Sequence, residues 1–477
     1  MNAPNPVLLL GVPFHPVSLS QCVEFVSARI RDKRPSFIAT ANLDFATQTA
    51  KDVELQEILL QADLVLCDGM PLVWSSHWVG APLPERVAGS DLVWELFKQG
   101  DKDAWNLYLL GADDDTLNVV KTRLEREYSS LRVVGTHAPP HGSIHDFDSD
   151  AIAASIRKTS PDLLLVAMGC PKQEKWIAMH FQKTGAFVSI GIGASLDFVA
   201  GKFSRAPKWM QKTGLEWLYR MLQEPKRMVK RYGSDLIFFI KTVHRQRQNL
   251  RRLFIYQNRI REETLEHVND SKLTRLPPEI TASKIEKNEI RKIEPTDEMP
   301  HCIYDCSKVW LVDCTGLGFL ACIHQRCSRL GGTLTLFRPS KAIKSLLRSV
   351  FLDRVFHIID TQHELEVFLT RQSKNSSEVF ILNSELAMTL NGDLRASRAN
   401  DQFEEIETAW FNKPDARRLK LDLINVDFMD STGLSCLIRT HKLVASRSES
   451  DLLILNANDN VRNVINLSKL DSVLHCQ

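Results

Sequence analysis

Four short apolar runs set the fold class of the first 200 residues: Ser36-Phe37-Ile38-Ala39-Thr40, Leu107-Tyr108-Leu109-Leu110-Gly111, Leu163-Leu164-Leu165-Val166-Ala167-Met168-Gly169 and Phe187-Val188-Ser189-Ile190-Gly191-Ile192-Gly193. Each is apolar on both faces of an extended strand, and amphipathic helical segments separate them. Strands that need cover on both sides and are joined by helices build a parallel sheet. The expected fold is therefore α/β, a doubly wound, Rossmann-like layout. At 477 residues the chain exceeds one ordinary domain, and the length suggests about three.

A further apolar segment, Leu64-Val65-Leu66, runs into Cys67-Asp68-Gly69-Met70-Pro71, so one carboxylate stands where a short buried strand meets a glycine turn. That is the carboxyl edge of the strand, the rim along which open α/β sheets bind ligands. Asp68 has no basic neighbour in sequence and is a candidate general base; a cap for the next helix is the alternative. Thr40 and Asn42, in Thr40-Ala41-Asn42, end another strand on that rim and offer neutral groups suited to a sugar or acetamido group. Arg86, in Pro84-Glu85-Arg86-Val87-Ala88-Gly89-Ser90-Asp91, offers a planar fork for phosphate, while Ser90-Asp91 offers a helix cap.

Two more loops belong to the same pattern. Gly169-Cys170-Pro171-Lys172-Gln173-Glu174 ends a strand and opens a helix, exposing N–H groups useful to a diphosphate. Asp197, in Gly191-Ile192-Gly193-Ala194-Ser195-Leu196-Asp197-Phe198, offers an acceptor for ribose or uracil, although those glycines equally suit tight packing. The cluster Asp113-Asp114-Asp115 reads as a helix-capping turn rather than a Mg²⁺ site.

The net charge of +2 says little, but its distribution is uneven. Past residue 200, Lys202, Arg205, Lys208, Lys212, Arg220, Lys226, Arg227, Lys230 and Arg231 interleave with Trp209, Trp217 and Tyr219. A solvated face and a nucleic-acid patch are open readings; the amphipathic aromatics favour a membrane interface. No apolar stretch reaches the roughly 20 residues that span a bilayer. The start of the chain lacks the basic and apolar regions of a signal peptide. The expected location is cytoplasmic, with any contact to a membrane made at its surface. The ten cysteines form no CxxC pair and lie mostly in apolar runs; they read as buried reduced thiols, with no metal site.

The second half contains an internal repeat. Residues 302–317 align without a gap to residues 419–434, His324 matches His441, and both copies carry an Asp-x-Thr-Gly turn, Asp313-Cys314-Thr315-Gly316 and Asp430-Ser431-Thr432-Gly433. The expected division is residues 1–245 with a basic appendage at 202–245, a linker at 246–272, and repeats at 273–372 and 376–477.

In combination, the segments at 40–42, 68–69, 84–91, 169–174, 191–202 and 205–232 resemble the WecG/TagA/CpsF glycosyltransferase family over about the first 245 residues. The resemblance implies an inverting transfer of N-acetylmannosamine, or a related hexose, from a UDP-sugar to an undecaprenyl-diphosphate-linked saccharide, with no metal cofactor. Asp68 falls on the family's proposed base. Thr40 and Asn42 fall on positions near the acceptor, Gln173 on a pocket glutamine, and Asp197 on a position near the donor nucleotide. Arg86 matches a motif. Arg205, Arg220, Arg227 and Arg231 fall in the appendage that closes the site around a diphosphate and meets the membrane. The implied setting is exopolysaccharide or other cell-envelope polymer synthesis, without a nucleic-acid partner.

The repeats resemble the STAS domain of anti-sigma factor antagonists and sulfate-transporter tails, the first copy more degenerate at its start. In regulatory members the serine after the aspartate is phosphorylated by a partner kinase. Ser431 holds that place in the second copy, and Cys314 replaces it in the first. One switch-competent copy and one structural or dimerising copy are expected; two plain scaffolds are the alternative. A competing reading of the whole chain is a STAS-based regulator whose first domain is an inactive nucleotide-sugar sensor.

Overall fold

The computed structural model describes the chain except residues 1–2, 141, 143, 145–146, 204–205, 208–209, 211–215, 217–218, 220–224, 257–272, 288–289, 291–294, 296–300, 331, 373–377, 383–384, 395–398, 427–428, 449, 468–474 and 477. Side chains are likewise outside the described set at 225–232, 254–256, 370–372, 378–382, 400, 431, 460, 463, 466–467 and 475–476. Two compact units make up the fold: residues 1–327 with 333–358, and 359–477 with 328–332.

The first unit starts with a hairpin, β1 (Val7–Leu9) and β2 (Val12–Phe14), then α1 (Leu19–Arg31). There follow β3 (Ser36–Ala41), α2 (Leu43–Thr49), α3 (Val53–Gln61), β4 (Leu64–Cys67), α4 (Met70–Trp78), α5 (Gly89–Lys102), β5 (Asn106–Gly111) and α6 (Asp114–Glu127). Next come β6 (Arg132–His137), α7 (Ser149–Lys158), β7 (Leu163–Ala167), α8 (Lys172–His180), β8 (Val188–Gly191) and α9 (Ser195–Val199). Six strands form one sheet in the order β4-β3-β8-β7-β5-β6, every described pair parallel.

Successive residues of each strand enter opposite cores, the physical content of an apolar run covered on both faces. Phe37, Val65, Leu164 and Val166 pack with Trp176 on one side; Ile38, Leu66, Leu165 and Ile190 pack with Leu92 and Leu96 on the other. The hairpin is tied to the edge of this sheet by His15. Its backbone N–H donates to Val65 O (2.9 Å), and its ring Nδ1 accepts from Val65 N–H (2.9 Å). Burial holds the imidazole neutral, its pKa lowered to about 4.

A long helix, Pro225–Tyr256, comes next. It continues through residues 246–256, where composition suggested the start of a linker, because Gln246, Asn249 and Leu253 extend the buried face begun by Phe239 and Val243. In the first repeat, strands Leu273–Arg275, Cys302–Asp305, Leu334–Phe337 and His357–Ile359 form one sheet, and Glu279–Ile280 pairs in parallel with Leu311–Val312. Its core, with Tyr304, Phe319 and Leu346, also takes in Leu8, Leu60 and Leu253.

The second unit holds a five-stranded sheet in the order Glu378–Leu382, Glu385–Asn391, Arg418–Asn425, Asp451–Leu455 and His475–Cys476. The first pair is antiparallel and the others are parallel. Trp410 and Leu421 lie in its core. Asp430 caps the helix Ser431–Ala445 by accepting from Thr432 N–H and Gly433 N–H, each at 2.9 Å.

Replacing His15 with leucine leaves Val65 N–H without its acceptor, an expected loss of about 1–3 kcal/mol at neutral pH. The folded imidazole pKa of about 4 lies below the ordinary 6.5, so this stabilisation is complete above 6.5 and is lost as pH falls toward 4. Urea unfolding across that window is expected to show the gap between wild type and His15→Leu closing on acidification.

Candidate active site

Parallel order places the ends of β3, β4, β7 and β8 side by side on one rim. Asp68 directly succeeds β4, and its backbone N–H donates to Ala41 O at the end of β3 (2.9 Å). Its carboxylate does not cap the next helix: α4 has no side-chain cap. Oδ2 instead accepts from Gly89 N–H, the first residue of α5, at 3.3 Å. The positive end of a 14-residue helix therefore faces this half-buried carboxylate.

Arg86 stands beside it. Burial opposes the guanidinium's charge, but Asp68, Glu216 and Asp91 outweigh that effect and raise its pKa further. Arg86 pairs with Glu216 and lies 3.4 Å from Asp91. Glu216, in the basic segment after the sheet, was not singled out by the sequence; its acid character among so many bases was the available signal. Arg86 thus joins Glu216 to the rim.

The neighbouring strand ends close on the same place. Thr40 is buried and donates its hydroxyl to Gly191 O (2.7 Å), joining β3 to β8. Asn42 caps α2, its Oδ1 accepting from Asp44 N–H and Phe45 N–H at 3.0 and 3.3 Å; the donor end of the amide is the part it can present to a ligand. Gln173 is buried, and its Oε1 accepts from both Gly169 N–H (3.2 Å) and Gly193 N–H (3.0 Å), so one side chain ties the loops after β7 and β8. Two glycines at this rim leave little room for a side chain. A Cβ at Gly191 would come 2.8 Å from Gln173 Nε2, and one at Gly89 would come 3.1 Å from Ser195 Oγ and 3.4 Å from Thr40 Oγ1.

Glu174 is the buried acid of this rim that sequence reading passed over inside its motif. Gln173 Nε2 donates to its Oε1 at 2.7 Å. Burial pushes its pKa up to about 7, against the hydrogen bonds that favour the carboxylate. Further along, Asp197 accepts from Thr116 Oγ1 (3.3 Å), and Asp113 caps α6 through Thr116 N–H (2.8 Å) while pairing with Lys202 (2.6 Å). That confirms Asp113 as a cap. Among the described residues no group of three His, Cys, Asp or Glu side chains is placed to hold a metal ion.

The structure thus brings Asp68, Arg86, Thr40, Asn42 and Gln173 to one edge of the sheet, with Asp197 at the start of α9 beyond β8. Arg205 and Arg220 lie outside the described residues. Arg227 and Arg231 lie on the long helix, their side chains outside the described set. Ser431 begins the helix Ser431–Ala445, its side chain likewise outside it.

Comparison with known proteins gives two matches along the chain. The model of the glycosyl transferase WecG/TagA/CpsF family matches residues 7–253, and the STAS domain model matches residues 253–365 and 377–477. The chain is 31% identical over 242 residues to the N-acetylglucosaminyldiphosphoundecaprenol N-acetyl-beta-D-mannosaminyltransferases of Staphylococcus aureus strains MW2 and NCTC 8325, covering 50% of this chain and 93% of each relative. Among solved structures it is similar to an anti-sigma factor antagonist from Mycobacterium paratuberculosis (21% identity, TM-score 0.20, 21% of this chain and 83% of that one). It is also similar to the anti-sigma factor antagonist SpoIIAA in its unphosphorylated form (18% identity, TM-score 0.19, 21% of this chain and 88% of that one).

The folded pKa of Glu174, about 7, lies above the ordinary 4.5, so the unfolded chain ionises first and stability falls as pH rises from 4.5 to 7. Glu174→Gln keeps an acceptor for Gln173 and removes the titration. In urea unfolding, the wild type is expected to lose about 3 kcal/mol relative to this variant across that window.

Proposed function

The chain belongs to the glycosyl transferase WecG/TagA/CpsF family and carries two STAS domains, and from that premise we propose that its first domain moves N-acetylmannosamine, or a related hexose, from a UDP-sugar to an undecaprenyl-diphosphate-linked saccharide. The product would enter an exopolysaccharide or another cell-envelope polymer. The acceptor class is taken from the Staphylococcus aureus relatives, whose name specifies a diphosphoundecaprenol-linked N-acetylglucosamine.

One observation carries the reading: a half-buried carboxylate on the rim of a parallel sheet, between a guanidinium and a helix N-terminus, next to loops fastened by Gln173. In the proposed step Asp68 takes the proton of the acceptor hydroxyl as that oxygen attacks the anomeric carbon. The bond to UDP breaks on the opposite face, its electron pair goes to the diphosphate, and configuration inverts. Such a positioned base contributes about 10²–10⁴-fold. Asn42 and Thr40 would serve the acceptor side and Asp197 the nucleotide. Arg205, Arg220, Arg227 and Arg231 would meet diphosphate charge, so that no metal cofactor is needed.

The acceptor's lipid sets where this happens. No described helix is long and apolar enough to cross a membrane. Among the described residues, large exposed apolar side chains include Trp74 and Trp78 on α4, which begins two residues after Asp68, and Leu236, Ile237 and Ile240 on the long helix; Val119, Phe203, Val367, Phe411 and Ile424 lie elsewhere. The rings of Trp78 and Phe239 are 6.4 Å apart, so these helices adjoin. Exposed Lys241 and Arg245 come after them on the second helix. Amphipathic aromatics with basic neighbours suit an anionic membrane surface, and we place the protein peripherally on the inner face of the cell membrane. In the second STAS domain, a kinase acting on Ser431 would add about −1.5 to −2 charge at the first turn of the helix that Asp430 caps.

With a short-chain lipid acceptor and UDP-N-acetylmannosamine, Asp68→Asn is expected to lower turnover by about 10²–10⁴-fold while donor binding by calorimetry stays within a few fold of wild type. A wild-type protein that binds donor but never transfers it supports a sugar-sensing regulator instead. In flotation with anionic vesicles, Trp78→Glu combined with Ile237→Glu is expected to leave the protein in the unbound fraction; unchanged flotation would contradict the assigned membrane face.

A further inference from the structure

The first repeat meets the transferase domain through the edge on which its relatives' regulatory serine would stand. Cys314, at that position, is buried. Gln246 of the long helix donates to Cys314 Sγ (3.3 Å) and to Leu8 O (2.9 Å), and accepts from Leu10 N–H (3.1 Å). One side chain therefore joins the repeat, the long helix and the opening hairpin.

Most of the remaining contacts converge on α3 and its neighbour α2. His324 Nε2 lies 2.9 Å from Glu57 Oε2, both side chains buried. Gln325 Nε2 donates to Gln61 O (3.0 Å) and Ala62 O (2.8 Å), satisfying carbonyls that the end of α3 leaves open. Arg354 donates to Thr49 O (3.0 Å), Ala50 O (3.1 Å) and Gln56 Oε1 (3.2 Å), the first two at the end of α2. Gln56 returns a bond to Val350 O (3.1 Å).

The start of α3 leads to the rim. Glu54 and the N-cap Asp52 hold Lys175 of α8 at 2.7 and 2.9 Å. Two residues earlier on α8 stands Gln173, which ties Gly169 and Gly193. Polar contacts thus join the repeat to α3 and α3 to Lys175, and α8 itself carries Lys175 to Gln173 and its loops.

The first repeat carries residues that suit this place. Gly318 lies so close to the hairpin's entry that a Cβ there would come 1.7 Å from Pro6 O; the aligned residue of the second repeat is Ser435. Where Gln325 feeds the end of α3, the second repeat has Lys442.

We infer that the first repeat is a permanent brace of the transferase, docked through its former switch edge, and that by fixing α3 it positions the Gln173 loops through Lys175. Its partner is the first domain of its own chain. Lys175 and Arg354 are positioning residues, and the inference rests on the transfer reading only for its kinetic arm.

The test uses the full-length chain with Gly318→Ser, which installs the second repeat's residue against Pro6, with Arg354→Gln, which removes the bonds to the end of α2 and to Gln56 without inserting an atom, and with Lys175→Met. Hydrogen exchange monitored by mass spectrometry is expected to rise at residues 53–62 and 169–175 in the first two variants, and at 169–175 in Lys175→Met. Added to Lys175→Met, Arg354→Gln should raise exchange at 169–175 no further, because the route is already cut. Turnover should fall by about 2- to 30-fold, the range of such coupling, with KM for the donor rising. Faster exchange at 53–62 with 169–175 and kinetics at wild-type values, or additive effects in the double variant, would overturn the brace. Exchange is read without substrate, so an inactive wild type would refute the transfer reading and leave this result standing.

Discussion

The parallel pairing of β3 with β8 is the constraint on which the site depends. It sets the end of β3, with Thr40 and Asn42, against the end of β8, with Gly191 and Gly193, and the Thr40 hydroxyl closes the seam on Gly191 O at 2.7 Å. β4 and β7 flank the pair, which brings Asp68 from one side and Gln173 from the other. No single loop could hold these groups together, since they come from four strands far apart in sequence. The rigidity belongs to the sheet, and the chemistry to the loop at the carboxyl end of each strand.

Charge at the rim is arranged around few groups. Asp68 has a guanidinium and a helix N-terminus as neighbours, while Glu174 is wholly buried and accepts from Gln173 Nε2. The two carboxylates therefore have different tasks. In the proposed reaction the first would take the acceptor's proton; the second accepts from Gln173 Nε2. Arg86 is engaged within the protein as well, since Asp91 of α5 and the distant Glu216 share its charge.

Much of this was legible in the sequence, for definite reasons. Runs apolar on both faces fix a doubly covered strand, so β3, β5, β7 and β8 fell where Phe37, Leu107, Leu163 and Val188 placed them. Asp68 and Asp113 stood out because an acid beside a strand end has few local explanations. The features that stayed hidden depend on partners distant in sequence. Glu216 lies 130 residues from Arg86, and Glu57 lies 267 residues from His324. The run Arg245-Gln246-Arg247-Gln248-Asn249 looks like a solvated linker until Gln246 and Asn249 find backbone partners that make them interior residues. Polar side chains on a buried face carry no periodic apolar signal, so the burial of these residues stayed hidden.

The central claim is that the Asp68 carboxylate accepts the acceptor's proton. Chemical rescue tests it most directly: with Asp68→Gly, added formate should restore sugar transfer in proportion to its concentration, with a dependence on pH that tracks ionised formate. Transfer by Asp68→Gly at the wild-type rate without formate, or donor and acceptor both bound with no formate response, would contradict it.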